Sequence, residues 1–285
     1  MIRIVTDSGS MLTPELRARF GVHIAPMAVI IDCRLYHEGV DLDITEFYRQ
    51  LASGATVTTS APSPGDLLEE YRHAQERGAT EVLSIHTGAK YSSTVSAATL
   101  AATMAPSPVT VIDTGSASFP VALCVWAAGD SIARGATASE AADAARRAAA
   151  CVGSVFVVGI PRLALDGGRF TAVAADMAAT SVLELGPAGL RVLCEATDLV
   201  AALDAMVAHV SDLAACGPLR IAVGDADRPE LAKELAERLR TTTQTQVTHY
   251  QVGPSIAAHT GAGSIGVVYC SLDRRPDTES TANGA

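Results

Sequence analysis

The sequence predicts an α/β fold of two domains, and three observations support this prediction. Short runs of β-branched and aliphatic residues alternate with segments of helical periodicity along the chain. The chain has 285 residues, which suffices for one large or two moderate domains. Hydrophobic residues make up 48% of it and charged residues only 18%, so the chain can form a large core.

Six segments have the composition of buried strands, because each is rich in Val and Ile and is bounded by polar or turn residues. In chain order they are 2–5, 82–85, 109–112, 154–158, 221–223 and 265–269. Alternating strands and helices favour parallel pairing. We therefore expect a mostly parallel sheet flanked by helices in the first domain, with a second α/β domain packed against it.

Three helix starts can be located between these strands. Ser63 is a predicted N-cap, Pro64 suits the first helical position, and Asp66 completes a capping box. Residues 137–140 and 227–230 have similar start signals. Apolar side chains of the first helix repeat on one face: Leu67, Leu68, Tyr71 and Ala74. The apolar side chains of the helix that starts at 227–230 also share one face: Leu231, Leu235 and Leu239.

Glycine and proline punctuate the middle of the chain. Residues 159–161 and 166–169 interrupt the alternation of elements, so we expect a first domain of 1–158 and a second of 159–275. Residues 276–285 are polar and without apolar periodicity, and we expect a disordered tail there.

Charge and composition exclude several classes of protein. The formal net charge of −10 opposes nucleic-acid binding. No apolar run reaches the roughly 18–20 residues needed to cross a bilayer, and the start of the chain has no secretory apolar region. The cysteines have no C-x-x-C spacing, which predicts free thiols and a cytoplasmic protein. They are Cys33, Cys124, Cys151, Cys194, Cys216 and Cys270.

Three polar clusters lie near predicted strand–helix junctions, at residues 58–60, 92–94 and 259–261. Hydroxyls and a histidine can hold a carboxylate or phosphate at the mouth of an apolar cavity, and a helix N-terminus favours anions. The structural alternative is that the hydroxyls cap helices and that the histidine is a satisfied structural residue. Asp7 and Thr87 also follow predicted strands, where ligands bind in α/β folds.

Metal and nucleotide sites have weaker support. Glu38, Asp41 and Asp43 lie close together in sequence, but such groups are typical of solvated or capping segments, so we expect no metal. Residues 261–266 match G-x-G-x-x-G formally, yet they lead into a strand rather than open a helix. We therefore expect no nucleotide and no other cofactor.

An enzyme remains an alternative. Asp7, Ser92 and His259 supply the residue types of a hydrolase or phosphotransferase, although the chain has no G-x-S-x-G, Walker A or kinase motif. Arg169 could pair with a ligand anion or with an acidic group of a partner, or lie in a solvated turn.

Several motifs taken together resemble the DegV family of bacterial fatty-acid-binding proteins. They lie in one order along nearly the whole chain, at 4–8, 36–41, 58–66, 84–86, 92–94, 111–114, 165–169 and 253–261. The resemblance implies a two-domain carrier without catalysis of its own, which holds one long-chain fatty acid in an apolar tunnel between its domains. It also implies a partner, a fatty-acid kinase that forms an acyl phosphate for phospholipid synthesis.

The family's site residues can be carried over to matching positions. The resemblance implies that Thr59 and Ser92 hold the fatty-acid carboxylate, with His259 near it. The neighbouring candidates are Thr58, Ser93 and Thr260, and Arg169 is the candidate for partner binding. Besides the enzyme, a lipid-sensing regulatory module remains an alternative function.

The chain also departs from the family pattern. Ala61 replaces a Gln, Ser93 replaces a Gly, and Ala262 stands where Pro is common. The usual Lys before Pro187 is missing, and acidic residues occupy 195–198 in place of a basic stretch. With these departures, the headgroup site is better supported by the resemblance than the kinase-docking surface is, and a different kinase or no kinase remains an alternative.

Overall fold

A parallel sheet forms the centre of the first domain. The computed structural model describes residues 1–166, 168, 170, 173, 178 and 180–272. Its first strands are β1 (Ile2–Asp7), β2 (His23–Ala25), β3 (Ala28–Ile31), β4 (Arg34–His37), β5 (Val57–Ser60), β6 (Glu81–His86) and β7 (Val109–Asp113). Four of them form a sheet in the order β2-β1-β6-β7, and all its pairs are parallel, as predicted.

Six helices accompany these strands. They are α1 (Pro14–Phe20), α2 (Ile44–Ala52), α3 (Pro64–Glu76), α4 (Thr94–Ala102), α5 (Phe119–Ala133) and α6 (Ala138–Ala149). The predicted capping box of α3 is present, because Ser63 Oγ accepts a hydrogen bond from Asp66 N–H and the Asp66 carboxylate accepts one from Ser63 N–H. Thr137 and Glu140 form the same box at α6.

A small antiparallel sheet in the order β4-β3-β5 was absent from the sequence prediction. Residues 58–60, expected in a loop before a helix, lie in strand β5 instead. Val29 pairs with Thr59, so the strand depends on a partner that is distant in sequence. Thr is β-branched and fits a pleated strand once such a partner exists. The alternation of side chains along this strand determines to which face each of its hydroxyl residues points.

The second sheet has six strands in the order β10-β9-β8-β13-β11-β12. They are β8 (Val152–Val157), β9 (Ser181–Gly186), β10 (Gly189–Glu195), β11 (Leu219–Asp225), β12 (Val247–Gln251) and β13 (Ile265–Ser271). Only the β11–β12 pair is parallel within it. Mostly parallel pairing therefore holds for the first sheet and not for the second, because β9 and β13 run opposite to the other four strands.

Four helices belong to the described part of this half: α7 (Pro161–Asp166), α8 (Leu199–Ala215), α9 (Pro229–Thr243) and α10 (Pro254–Thr260). Helix α9 follows Asp227, near its predicted start, and buries Leu235 and Leu239 completely. Within the described residues, no helix combines the length and the apolarity that crossing a membrane would need.

The boundary between the domains involves strand β8. This strand pairs with β9 and β13, so its hydrogen bonds place it in the second sheet. The predicted division at residue 158 separates β8 from that sheet, and sheet membership favours a division before Val152. The division remains a prediction. Residues 276–285 and Arg169 lie outside the described residues.

Helix α5 joins the two halves. Nearly its whole surface is buried, and it contacts β1 and β6 of the first sheet as well as β8 and β13 of the second. One apolar core therefore contains Ile4 and Leu83 from the first domain together with Ala222 and Val268 from the second. A helix that is apolar all round must be covered on all sides. Its burial positions the two sheets against each other.

Candidate functional site

A cavity of about 290 Å³ lies between the two sheets. Its wall combines β5, residues 87–93 after β6, the start of α5, helix α10 and one face of the six-stranded sheet. This is the carboxyl edge of the parallel sheet, where α/β folds bind ligands. Apolar side chains form much of the wall, among them Met27, Phe156, Leu185, Leu190 and Val268.

Thr59 and His259 meet at this cavity although they are 200 positions apart in sequence. Thr59 Oγ1 and His259 Nε2 are joined by a hydrogen bond of 2.9 Å. Side chains alternate along a strand, so Thr59 is half-buried at the cavity while Thr58 is exposed. His259 lies in the last turn of α10 and is also half-buried. The contact connects the first domain to the second.

Ser92 and Ser93 lie where helix α4 begins. Ser92 Oγ is 2.7 Å from Thr94 Oγ1 and accepts a hydrogen bond from Thr94 N–H, so it satisfies part of the helix start. Ser93 occupies the N-cap position without a side-chain capping bond. Both serines line the cavity. Capping and ligand contact are therefore compatible at this helix end.

The structure brings most of the predicted site residues together. Five of them line the same cavity: Thr59, Ser92, Ser93, His259 and Thr260. Thr260 is buried and its hydroxyl donates to Ile256 O. Thr58 is exposed and is not part of the cavity wall, because its strand position directs it away from Thr59. Arg169 lies outside the described residues.

Sequence reasoning missed other residues of the wall, notably Tyr250 and Ser255. Tyr250 stacks on Phe119 with ring centroids 4.5 Å apart. Burial raises the pKa of Tyr250 to about 12, so its phenol is neutral at ordinary pH. No local pattern marks this tyrosine. Ser255 could have been found, since it precedes His259 by four residues and thus shares a helix face with it.

A buried carboxylate supports the cavity wall from behind. Asp7 has no exposed surface, and it accepts hydrogen bonds from His86 Nδ1, Thr87 N–H and Thr87 Oγ1 at 2.8–3.0 Å. Burial by itself would raise the pKa of Asp7, but the bonds and charge of His86 and the bonds from Thr87 hold it below its ordinary value. Thr87 lines the cavity, so Asp7 holds that part of the wall in place.

The three residues of the enzyme alternative have separate partners. Asp7 binds His86 and Thr87, whereas His259 binds Thr59 and Ser92 binds Thr94. A serine–histidine–aspartate relay needs the three groups bonded in sequence, whereas these bonds join each of them to a different residue. Asp7, His86 and Ser84 do form a hydrogen-bonded series, but Ser84 is fully buried.

The sequence presents Glu38, Asp41 and Asp43 as possible metal ligands and predicts no metal there. Asp43 caps helix α2 through Glu46 N–H, and Asp41 accepts a hydrogen bond from His37 N–H, so both serve local structure. Within the part of the chain that the structure describes, no group of three or more His, Cys, Asp or Glu side chains could hold a metal ion.

Glu38 lies in the interior of the protein, unlike the exposed Asp41 and Asp43. It is buried, accepts a hydrogen bond of 2.5 Å from Ser8 Oγ, and accepts one of 2.8 Å from Ser255 N–H. Burial raises the pKa of Glu38, although the bonds from Ser255 and Ser8 oppose that rise. Tyr48 OH also donates to Val252 O just before α10. These contacts hold the N-terminal end of the helix that carries His259.

The fold and the cavity define a two-domain α/β protein with an apolar pocket that ends in a cluster of hydroxyls and a histidine. This is the architecture of a small-molecule-binding protein. The chain belongs to the DegV family, because the model of that family, described as "Uncharacterised protein, DegV family", matches residues 1–272.

Relatives match along nearly their whole length. A DegV domain-containing protein of Streptomyces coelicolor is 33% identical over 276 residues, covering 95% of this chain and 98% of the relative. A fatty-acid-binding DegV family protein of Thermus thermophilus has a similar structure, with a TM-score of 0.83 and 29% identity over 95% of this chain and 99% of its own. DegV of Bacillus subtilis, a fatty acid binding protein, reaches a TM-score of 0.87 at 23% identity over 95% and 99%, which supports the fold.

We predict that Asp7→Asn lowers the free energy of unfolding by about 3–5 kcal/mol, because an amide cannot accept from all the donors that surround this carboxylate. The pKa of Asp7 is lower in the folded than in the unfolded chain. Its contribution is therefore complete above the unfolded pKa of about 3.9 and is lost as the pH falls through the folded pKa. Urea unfolding at pH 7 and at decreasing pH measures both effects.

The matched control is Asp143→Asn, which changes an exposed aspartate paired with Arg146. It should alter the free energy of unfolding by less than about 1 kcal/mol. If the two variants lose equal stability, the buried bonds of Asp7 do not support the fold as described.

Proposed function

We propose that the protein binds one long-chain fatty acid in the cavity between its domains, with the carboxylate held by Thr59 and Ser92 near His259. The observation that carries this proposal is the composition of the wall, which is largely apolar and has these hydroxyls and the imidazole together. The family and the fatty-acid-binding relative from Thermus thermophilus support the same ligand class.

The apolar part of the wall supplies the affinity in this proposal. Burying an acyl chain contributes about 0.8 kcal/mol per methylene, so a dozen buried methylenes contribute on the order of 10 kcal/mol. Association itself costs about 4–15 kcal/mol of lost freedom and ordering. A long chain exceeds this cost more readily than a short one. The length of the acyl chain therefore determines the affinity more than the headgroup does.

In this proposal the polar part of the wall determines the orientation of the bound fatty acid. A carboxylate that leaves water needs hydrogen-bond donors, or its pKa rises. The described residues of the cavity wall include hydroxyls and His259 but neither Lys nor Arg. Hydroxyls can donate to the bound carboxylate and bond among themselves when the cavity is empty, as Ser92 and Thr94 do. The start of α4, where Ser93 makes no side-chain capping bond, adds a favourable dipole.

The finer proposal is that the protein is a cytoplasmic carrier without catalysis that presents the acid to a partner, a fatty-acid kinase, for phospholipid synthesis. Ser93 is exposed at the cavity and His259 is half-buried, which leaves the carboxylate end within reach of a partner. Cys33, Cys124, Cys194, Cys216 and Cys270 form no disulfide bond, which agrees with a reducing compartment. The acidic residue Asp198 has a structural role, since it caps α8.

A bacterial lysate tests the delivery step. With ATP, the lipid-loaded protein should yield acyl phosphate, trapped as its hydroxamate, at a rate that depends on added protein. Without lysate it should yield none. Formation by the protein alone would show that it is an enzyme, and no stimulation of the lysate would contradict delivery to a kinase.

The native ligand provides the first test of binding. Protein purified from a bacterial host should release a fatty acid on denaturation and extraction, in about one equivalent per chain by mass spectrometry. The apolar wall predicts this retention because dissociation would expose the acyl chain to water. Absence of any lipid, together with no binding of added palmitate or oleate, would contradict the proposal.

The headgroup assignment has its own test. Thr59→Ala or Ser92→Ala should weaken palmitate binding roughly tenfold to a hundredfold, because a hydrogen bond to a charged group contributes about 1.5–3 kcal/mol. Titration calorimetry on delipidated protein measures this. Methyl palmitate, which has no carboxylate, should bind both variants and the parent protein with similar affinity.

Two variants serve as matched controls. Thr58→Ala changes the exposed neighbour of Thr59 on the same strand, and Ser96→Ala changes an exposed serine of helix α4. Both should bind palmitate as the parent protein does. Equal weakening in Thr58→Ala and Thr59→Ala would indicate a general effect on the strand and would remove the headgroup assignment.

A further inference from the structure

A channel crosses the floor of the cavity on one face of the six-stranded sheet. Four residues of the wall form one row there, each paired with the next: Phe156 on β8, Gly266 on β13, Gly224 on β11 and Tyr250 on β12. The two central residues are glycines, so the floor between the aromatic side chains is bare backbone. A Cβ at Gly266 would lie only 2.6 Å from Phe156 Cβ, so the row has no space for a side chain there.

Tyr250 closes this channel at β12, which is an edge strand of the sheet. A side chain at Gly224 would overlap Tyr250 Cζ and Oη, so the hydroxyl end of the ring lies directly against the Gly224 backbone. Phe119, which is fully buried at the start of α5, stacks on the ring with centroids 4.5 Å apart. The ring is therefore held at two places, and it blocks the end of the channel at Gly224 while Gly266 faces the open cavity.

The imidazole of the proposed headgroup site lies toward the other end of this channel. Helix α10 follows β12, and at its far end Thr260 O accepts a hydrogen bond from Ile160 N–H, just after β8. His259, in the last turn of α10, is therefore close to the end of β8. In the sheet, β8 and β12 are three strand spacings apart, or about 14 Å. The channel thus offers an acid held at His259 a route across the sheet to Tyr250.

We propose that Tyr250 is the stop against which the methyl end of the acyl chain lies, so that its ring determines the longest chain that the cavity accepts. Gly224 and Phe119 are positioning residues, because they act by holding this ring. The inference rests on the proposed binding of a fatty acid. Each further methylene buried along the channel raises the affinity about fourfold until the chain reaches the ring. Beyond that length an extra methylene must enter filled space, which is unfavourable.

The test measures which chain lengths the delipidated protein selects. An equimolar mixture of even-numbered saturated acids from laurate to behenate is added, and mass spectrometry quantifies the acids that the reisolated protein retains. Tyr250→Leu removes the ring and uncovers Gly224. Acids longer than the preferred acid of the parent protein should then gain at least about fivefold relative to that acid. Tyr250→Phe keeps the ring and should keep the parent selection.

Gly224→Ala should act in the opposite direction, and it tests the stop even if Tyr250→Leu folds poorly. Its methyl group would overlap the ring, and Phe119 blocks one side, so the ring has to move toward the open channel over Gly266. The acid that the parent protein prefers should lose at least about fivefold relative to shorter acids. In Gly224→Ala/Tyr250→Leu no ring remains to be displaced, so this loss should disappear. A loss that persists in the double variant would contradict the positioning role of Gly224.

Tyr269→Leu is the matched control, since Tyr269 is a buried tyrosine on the opposite face of the same sheet and is not part of the cavity wall. It should keep the parent selection. Unchanged selection in Tyr250→Leu would overturn the inference, as would a gain of longer acids in Leu190→Ala alone, which would place the chain end at β10. If the parent protein retains no fatty acid, the proposed function itself fails; retention that depends on Thr59 without any effect of Tyr250→Leu contradicts only the stop.

Discussion

The burial of helix α5 between two sheets is the constraint on which the rest of the structure depends. Its side chains are apolar on nearly all sides, so each domain must cover part of it. The two sheets thereby share one core and cannot separate without exposing that core to water. The N-terminal end of the helix, at Ser118 and Pro120, reaches the space that the sheets leave open, and there it becomes part of the cavity wall.

Two buried carboxyl groups organise the polar side of this space in different ways. Asp7 accepts three hydrogen bonds from His86 and Thr87, and these outweigh burial in their effect on its pKa. Glu38 accepts from Ser8 and from Ser255 N–H, and there burial prevails. Asp7 supports the wall on the first domain, whereas Glu38 connects that domain to α10. Both stand behind the wall, and the groups that reach the ligand space are neutral hydroxyls, an imidazole and apolar side chains.

Local features of the fold were predictable because they depend on neighbouring residues. The capping box at Ser63 and Asp66 satisfies N–H groups within one turn, so its sequence pattern suffices to locate the start of α3. The six predicted strands all exist, because short runs rich in Val and Ile fit the buried positions of a pleated strand. The sheet of β3, β4 and β5 escaped prediction because its strands have only four residues each and because β5 pairs with β3 across the intervening helix α2. The antiparallel pairing of most strands in the second sheet also joins segments far apart in the chain, so it could not be inferred either.

The sequence by itself determined the α/β class, the helix starts and the candidate hydroxyls, because these follow from composition, periodicity and short motifs. Only the tertiary structure decided which of the hydroxyls share a cavity. Thr59 lies at the cavity and Thr58 does not, because the pairing of β5 with β3 sets which face each residue occupies. His259 reaches Thr59 because the contacts of Glu38 and Tyr48 hold α10 against the first domain. Such contacts join residues about two hundred positions apart, and no local pattern in the chain encodes them.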